Sequence, residues 1–195
     1  MKKKYLTLIL LVLTTIHVFG QAERSAKLVD AAIELTKQKV VYDPTYFRIP
    51  YPNGDVPTGK GVCTDVIIRA YRNSLQIDLQ KEVHLDMKAN FKLYPKNWGQ
   101  KTTDRNIDHR RVYNLMVFFK RKGEVKPITK NPADYKPGDI VCWILPGNLS
   151  HIGLVINKKT ADGKRYLIVH NIGAGQVMED CLFTWKIIGH YQYKV

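Results

Sequence analysis

Apolar residues in this chain recur with one period up to Gly123 and with another beyond it. Before that glycine the spacing is helical: Leu28, Ala31, Ala32, Leu35 and Val40 mark a first amphipathic helix over 22–40, and Val66, Ile67, Ala70 and Tyr71 a second that starts at or just before Cys63. A third is expected from Asp78, a good N-cap, through Leu79, Val83, Met87 and Phe91, and a fourth from Arg110 to Lys122, stopped by Gly123. After it come short β-branched and aromatic runs at Ile140–Ile144, Ile152–Ile156, Tyr166–Val169 and Ile187–Tyr193, bounded by turn residues. Helices first and strands afterwards predict an α+β domain, with a helical layer packed on one face of an antiparallel sheet.

The N-terminus reads as an export signal over residues 1–20. Lys2, Lys3 and Lys4 precede an apolar run from Leu6 to Phe19, and Val18-Phe19-Gly20 offers a cleavage point. A membrane anchor needs about 20 apolar residues; this run is shorter and is interrupted by Thr14, Thr15 and His17. The expectation is a periplasmic or secreted protein with no transmembrane segment after cleavage. Residues 21–195 then form one domain, since no repeat, low-complexity tract or flexible linker divides them. A formal charge of +14, or +11 without the three leader lysines, favours polyanionic surroundings. No nucleic-acid-binding motif accompanies that charge, so cell-wall polymers are the expected partner, nucleic acid is not, and the protein is expected to be a monomer.

Three cysteines are an odd number for a compartment that permits disulfides. Pairing of Cys142 with Cys181 would leave Cys63 free, and two buried free thiols are an equal alternative. Cys63 follows a glycine-containing loop and begins a helix, where unsatisfied backbone N–H groups and the helix dipole favour a thiolate and could form an oxyanion hole. Gly61 would let a substrate carbonyl approach the backbone. His151 opens one strand and His170 closes the next, so an antiparallel hairpin sets the two imidazoles side by side, as a base and its orienting partner require.

Several spaced stretches carry a resemblance: 51–57 (Tyr-Pro-Asn-Gly-Asp-Val-Pro), 61–66 around Cys63, 106–111 (Asn-Ile-Asp-His-Arg-Arg), 137–141 (Pro-Gly-Asp-Ile-Val), 151–153 and 170–175. They resemble the bacterial domain-of-unknown-function family numbered 1287, over about Ala26 to Tyr193. That family is similar, more distantly, to NlpC-type papain-like hydrolases of the cell wall. The resemblance implies a papain-like fold, Cys63 as nucleophile, His151 as base, His170 as third member with Asn171 as runner-up, and acyl transfer at an amide bond, most naturally in peptidoglycan, without a cofactor. The 88-residue separation of Cys63 from His151 implies a helical insertion over about 78–123.

Around that set, Asp65, His109, Arg110, Arg111, Trp143 and Asn171 are the candidate substrate-binding residues. Guanidinium groups suit the carboxylates of peptide stems, and Trp98 and Trp143 could line a cleft. Asp65 is also read as a first-turn carboxylate that favours the helix start. A metal hydrolase is a poorer reading, because no His-Glu-x-x-His, His-x-His or Cys-x-x-Cys spacing occurs. A non-catalytic wall- or polyanion-binding module is the alternative, supported mainly by the charge.

Overall fold

The computed structural model of the chain describes residues 20–195, so the expected leader, apart from Gly20, lies outside the described residues. Four α-helices are present: α1 over 20–35, α2 (Cys63–Leu75), α3 (Leu79–Ala89) and α4 (Val112–Lys122). Two-residue strands β1 (Val41–Tyr42) and β2 (Lys60–Gly61) form a parallel pair ahead of α2. The main sheet contains β3 (Glu124–Val125), β4 (Ile140–Leu145), β5 (Leu149–Lys159), β6 (Tyr166–Asn171), β7 (Gln176–Glu179) and β8 (Lys186–Gln192). Its order is β3-β8-β4-β5-β6-β7, antiparallel throughout. The expected α+β architecture is therefore present.

Local chemistry sets the helix ends. α1 stops at residue 35 rather than reaching Val40, and the Thr36 hydroxyl donates to the Ile33 carbonyl at 2.7 Å, competing with the helical ladder. Val40 is still buried, but it leads into β1. At α3 the Asp78 carboxylate accepts from Lys81 N at 3.1 Å, as its N-cap role requires, and the helix ends at Ala89, short of Phe91. Gly123 caps α4, with its N–H donating to the Phe119 carbonyl.

Each face of the sheet has its own core. Ile140, Cys142, Ile152, Leu154, Ile156 and Val169 point to the helices and meet Leu28, Val66, Ile67, Tyr71 and Phe119. Each such fully buried large side chain contributes about 2 kcal/mol. On the other face, Val141, Trp143, Val155 and Ile168 pack with Tyr135, Cys181 and Leu182, supplied by loops. Strand alternation thus separates Cys142 from Cys181 across the sheet, and all three cysteines are free. No disulfide forms.

The Pro137-Gly138-Asp139 stretch has a structural task. Gly138 adopts φ 95°, and the Asp139 carboxylate accepts from Lys136 N and lies 2.8 Å from His190 Nε2. This knot seats β4 between β5 and β8. At the N-terminal end of α1, Arg24 and Gln21 donate to the carbonyls of Lys194 and Val195, tying the chain's two described ends together.

Candidate active site

The sulfur of Cys63 sits where the loop from β2 turns into α2. Val62 provides no side-chain cap; Asp65, at the third helical position, instead accepts from Val62 N at 2.7 Å. Asp65 is itself held by Arg110, whose Nε lies 3.0 Å from Oδ1 and whose Nη2 lies 3.1 Å from Oδ2. Arg110 further donates to the Thr45 carbonyl, while Thr64 Oγ1 donates to the Arg110 carbonyl. Both charges are buried and matched in a fixed fork, an arrangement whose disruption leaves an uncompensated internal ion. Helix α2 is therefore anchored by a residue 45 positions away.

That anchoring corrects three expectations. Asp65 and Arg110 satisfy each other and are not a substrate-binding rim, and His109 is 2 % exposed, packed inward with Nδ1 unpartnered. Burial pushes the His109 pKa down to about 3, ahead of the nearby Arg110 and Arg72. Of the cluster only Arg111 reaches the surface, stacked over the Trp98 ring at 4.2 Å. Gly61 needs its missing side chain for an internal reason too. A Cβ there would meet Arg69 Nη1 at 3.0 Å and Asp65 Oδ2 at 3.4 Å, not a substrate.

His151 and His170 meet as the hairpin argument requires. β5 pairs with β6 in antiparallel register, Leu154 opposite Val169, and His151 Nε2 lies 2.8 Å from His170 Nδ1. His170 Nε2 lies 3.1 Å from Glu179 Oε2 on β7 and 3.6 Å from Cys181 Sγ. The carboxylate is much the stronger acceptor, so His170 carries its proton on Nε2 and accepts at Nδ1. His151 must then donate from Nε2, which leaves a lone pair on its Nδ1. A relay of Glu179, His170 and His151 fixes both tautomers.

Glu179 did not emerge from the sequence, because Gln-Val-Met-Glu is too short and too weakly alternating to read as a strand. Nor did Trp185, which stands edge-on to both imidazoles at 5.8 and 6.2 Å between ring centroids. Trp143 is fully buried behind His151, its Nε1 donating to the Leu182 carbonyl at 2.9 Å. It walls the imidazole and offers no stacking surface to a substrate, contrary to the expectation. Asn171 also faces inward: its Nδ2 donates to the Gly61 carbonyl at 3.3 Å, bracing the loop before Cys63, and makes no bond to His151.

Cys63 is 5 % exposed. Burial, the first cause, pushes its thiol up to about 12; backbone N–H groups of Ile152, Thr64 and Cys63 itself act against that rise and Asp65 adds to it. Cys63 shares the helix-facing core with Ile152, the residue that follows His151. Burial and His170 hold the His151 imidazole down at about 3. Thiol and imidazole are both neutral at rest, and no hydrogen bond joins Cys63 to His151 among the described residues. Burial raises the Tyr42 phenol on β1, and Cys63 and Asp65 add to the rise.

Among the described residues no three His, Cys, Asp or Glu side chains converge as a metal site, and no helix is long and apolar enough to cross a membrane. In curated proteins, the chain is 49 % identical over 175 residues to the uncharacterized protein YijF of Escherichia coli K12, covering 90 % of this chain and 84 % of that one. A crystal structure described as an N-acetylmuramoyl-L-alanine amidase of Bacteroides uniformis is similar in fold, at TM-score 0.50 and 12 % identity, over 87 % of this chain and 98 % of that one. A second structure of the same description from that organism gives TM-score 0.47 and 14 % identity, over 86 % and 97 %. The model of the family described as a domain of unknown function, DUF1287, matches residues 29–193, and the chain belongs to that family.

Proposed function

We propose that this protein is an exported cysteine hydrolase of papain-like, NlpC-type design, acting on an amide or peptide bond of cell-wall peptidoglycan in the periplasm or outside the cell. One observation carries the proposal. The chain Glu179, His170, His151 leaves His151 with one unprotonated imidazole nitrogen, next in sequence to Ile152, which shares the helix-facing core with the Cys63 thiol at the start of α2. The fold likeness to a crystal structure described as an N-acetylmuramoyl-L-alanine amidase supports the substrate class.

His151 Nδ1 takes the thiol proton as the Cys63 sulfur attacks the amide carbon. Backbone N–H groups at the start of α2 hold the oxyanion, and the imidazolium is stabilised through His170 by the Glu179 carboxylate. The proton then passes from His151 to the leaving amine as the C–N bond breaks. Water, deprotonated by His151, hydrolyses the thioester and the thiol is regenerated. Because thiol and imidazole are both neutral at rest, the ion pair forms only with substrate in place, and the sulfur must turn toward Nδ1 to form it.

Digestion of purified peptidoglycan by the wild type and by Cys63→Ala tests the reading. New amine termini are expected with the wild type only, and identical fragment profiles would exclude a Cys63-dependent hydrolysis.

A further inference from the structure

Away from the histidine relay, a cavity of about 690 Å³ opens between the 46–49 segment, His84 of α3 and residues 100–106, a volume typical of small-ligand sites. Arg48, Lys101 and Arg105 line it; all three are exposed, and none has an ion-pair or side-chain hydrogen-bond partner among the described residues. The lining's one carboxylate, Asp104, is already satisfied. Its Oδ2 accepts from the Tyr46 hydroxyl at 3.0 Å, and its Oδ1 accepts from Asn106 N and Nδ2, both at 2.9 Å. Three cations against one carboxylate leave the cavity with an excess of positive charge.

Two neutral side chains complete the lining with unused polar atoms. Gln100 has both amide atoms buried and unpartnered, and His84 has a buried, unpartnered Nδ1. Buried polar groups in folded proteins are nearly always hydrogen-bonded, so orphans grouped in one cavity mark the place of a missing partner. The mixture selects among anions. A phosphate group offers essentially acceptors alone and would leave Gln100 Oε1 empty, whereas a peptide bearing a carboxylate brings oxygens for the cations and an N–H for the glutamine.

We propose that this cavity is a binding site for a peptide segment with a free carboxylate, the carboxylate held by Arg48, Lys101 and Arg105 and an adjacent peptide N–H by Gln100 Oε1. The site rests on its own lining and not on the catalytic reading, but it is linked to helix α2 through Arg110. Tyr46 follows Thr45, whose carbonyl accepts from the same Arg110 that grips Asp65. The residues 100–106 belong to the segment inserted between the nucleophile and base regions, which makes the insertion a recognition element.

Titrations followed by NMR with N-acetyl-Ala-Ala as free acid, with its C-terminal amide and with inorganic phosphate test the proposal on the wild type and on Cys63→Ala. Saturable binding of the acid is expected in both proteins, at least tenfold tighter than the amide or phosphate. Lys101→Gln/Arg105→Gln should weaken it at least tenfold. The control Lys130→Gln/Lys158→Gln, an equal charge change on exposed sites elsewhere, should change it less than twofold. Because the Arg105 guanidinium also lies over the Tyr51 ring, Arg48→Gln and Lys101→Gln are measured singly and should each weaken binding. Failure of the acid to saturate, phosphate binding as tightly as the acid, or an equal loss in the control pair overturns the site. Binding by a wild type that releases no more fragments from peptidoglycan than Cys63→Ala does keeps the site and removes the catalytic reading alone.

Discussion

Two buried histidines on the same sheet show opposite uses of one side chain. His190 on β8 has both nitrogens bonded, Nδ1 to the Pro127 carbonyl at 2.9 Å and Nε2 to Asp139 Oδ2 at 2.8 Å, and it stacks on Tyr135 at 4.3 Å. His151 on β5 is almost as deeply buried, 3 % exposed against 1 %, yet has only Nε2 bonded. Burial is nearly equal, so it does not distinguish them; the difference is saturation. A histidine with every donor and acceptor matched is fixed in the fold, whereas one held at a single nitrogen and braced by a second imidazole keeps a lone pair for chemistry.

The strongest way to break this contrast is to remove each histidine. His151→Ala and Cys63→Ala should each lower peptidoglycan amide cleavage by about 10³-fold or more with little change in melting temperature. His190→Ala should do the reverse. It leaves the buried Asp139 carboxylate with the Lys136 N–H but without its imidazole, at a cost of about 3 kcal/mol, while kcat per folded molecule is preserved. Thermal melts and initial rates on the same preparations check both. Equal loss of activity in the two variants would erase the distinction.

Glu179 sharpens the contrast at a smaller scale. In the proposed mechanism this half-exposed carboxylate acts only by holding His170. Glu179→Ala should reduce kcat by about tenfold with KM nearly unchanged. Loss of its negative charge makes the imidazolium harder to form, so the acid limb of kcat/KM should move to lower pH. Glu179→Gln should fall between, because its amide oxygen can still accept from His170 while its NH₂ can invert both tautomers. A merely structural glutamate would lower stability and leave the pH profile in place.

How much of this was readable beforehand follows from the range of the interactions. The change of period near Gly123 is local and strong, and the helices and long strands follow from it. The meeting of His151 and His170 was also readable, because a hairpin closed by Asp162-Gly163 brings the start of one strand to the end of the other. Partners set by tertiary contact were not. Arg110 and Arg111 look alike in sequence, yet one is buried against Asp65 and the other stacks on exposed Trp98. Trp143 and Asn171 carry functional side-chain types but face inward for packing and for loop support. The cation-lined cavity was missed because Arg48, Lys101 and Arg105 lie on two separate segments whose approach depends on Asn106 Oδ1 accepting from Ile49 N.

The pH dependence of stability gives the smallest effect and tests the enclosure of buried histidines without any substrate. His109 and His151 both have pKa values near 3 in the folded protein, with burial as the first cause, against about 6.5 when unfolded. Between those values the unfolded state binds more protons, so stability present above pH 6.5 is lost progressively as pH falls toward 3. Asp108 opposes this: burial raises its carboxyl to about 6, so its contribution is complete below the unfolded value near 4 and fades as pH rises through 6. Two histidines against one aspartate leave a net loss of about 2 kcal/mol between pH 7 and pH 5, or roughly 5 °C in melting temperature. In His109→Asn the slope of melting temperature against pH over this range should fall by at least half, because one of the two opposing protons is gone. A slope unchanged in that variant would mean that His109 is as readily protonated folded as unfolded, and that the enclosure assigned to it is absent in solution.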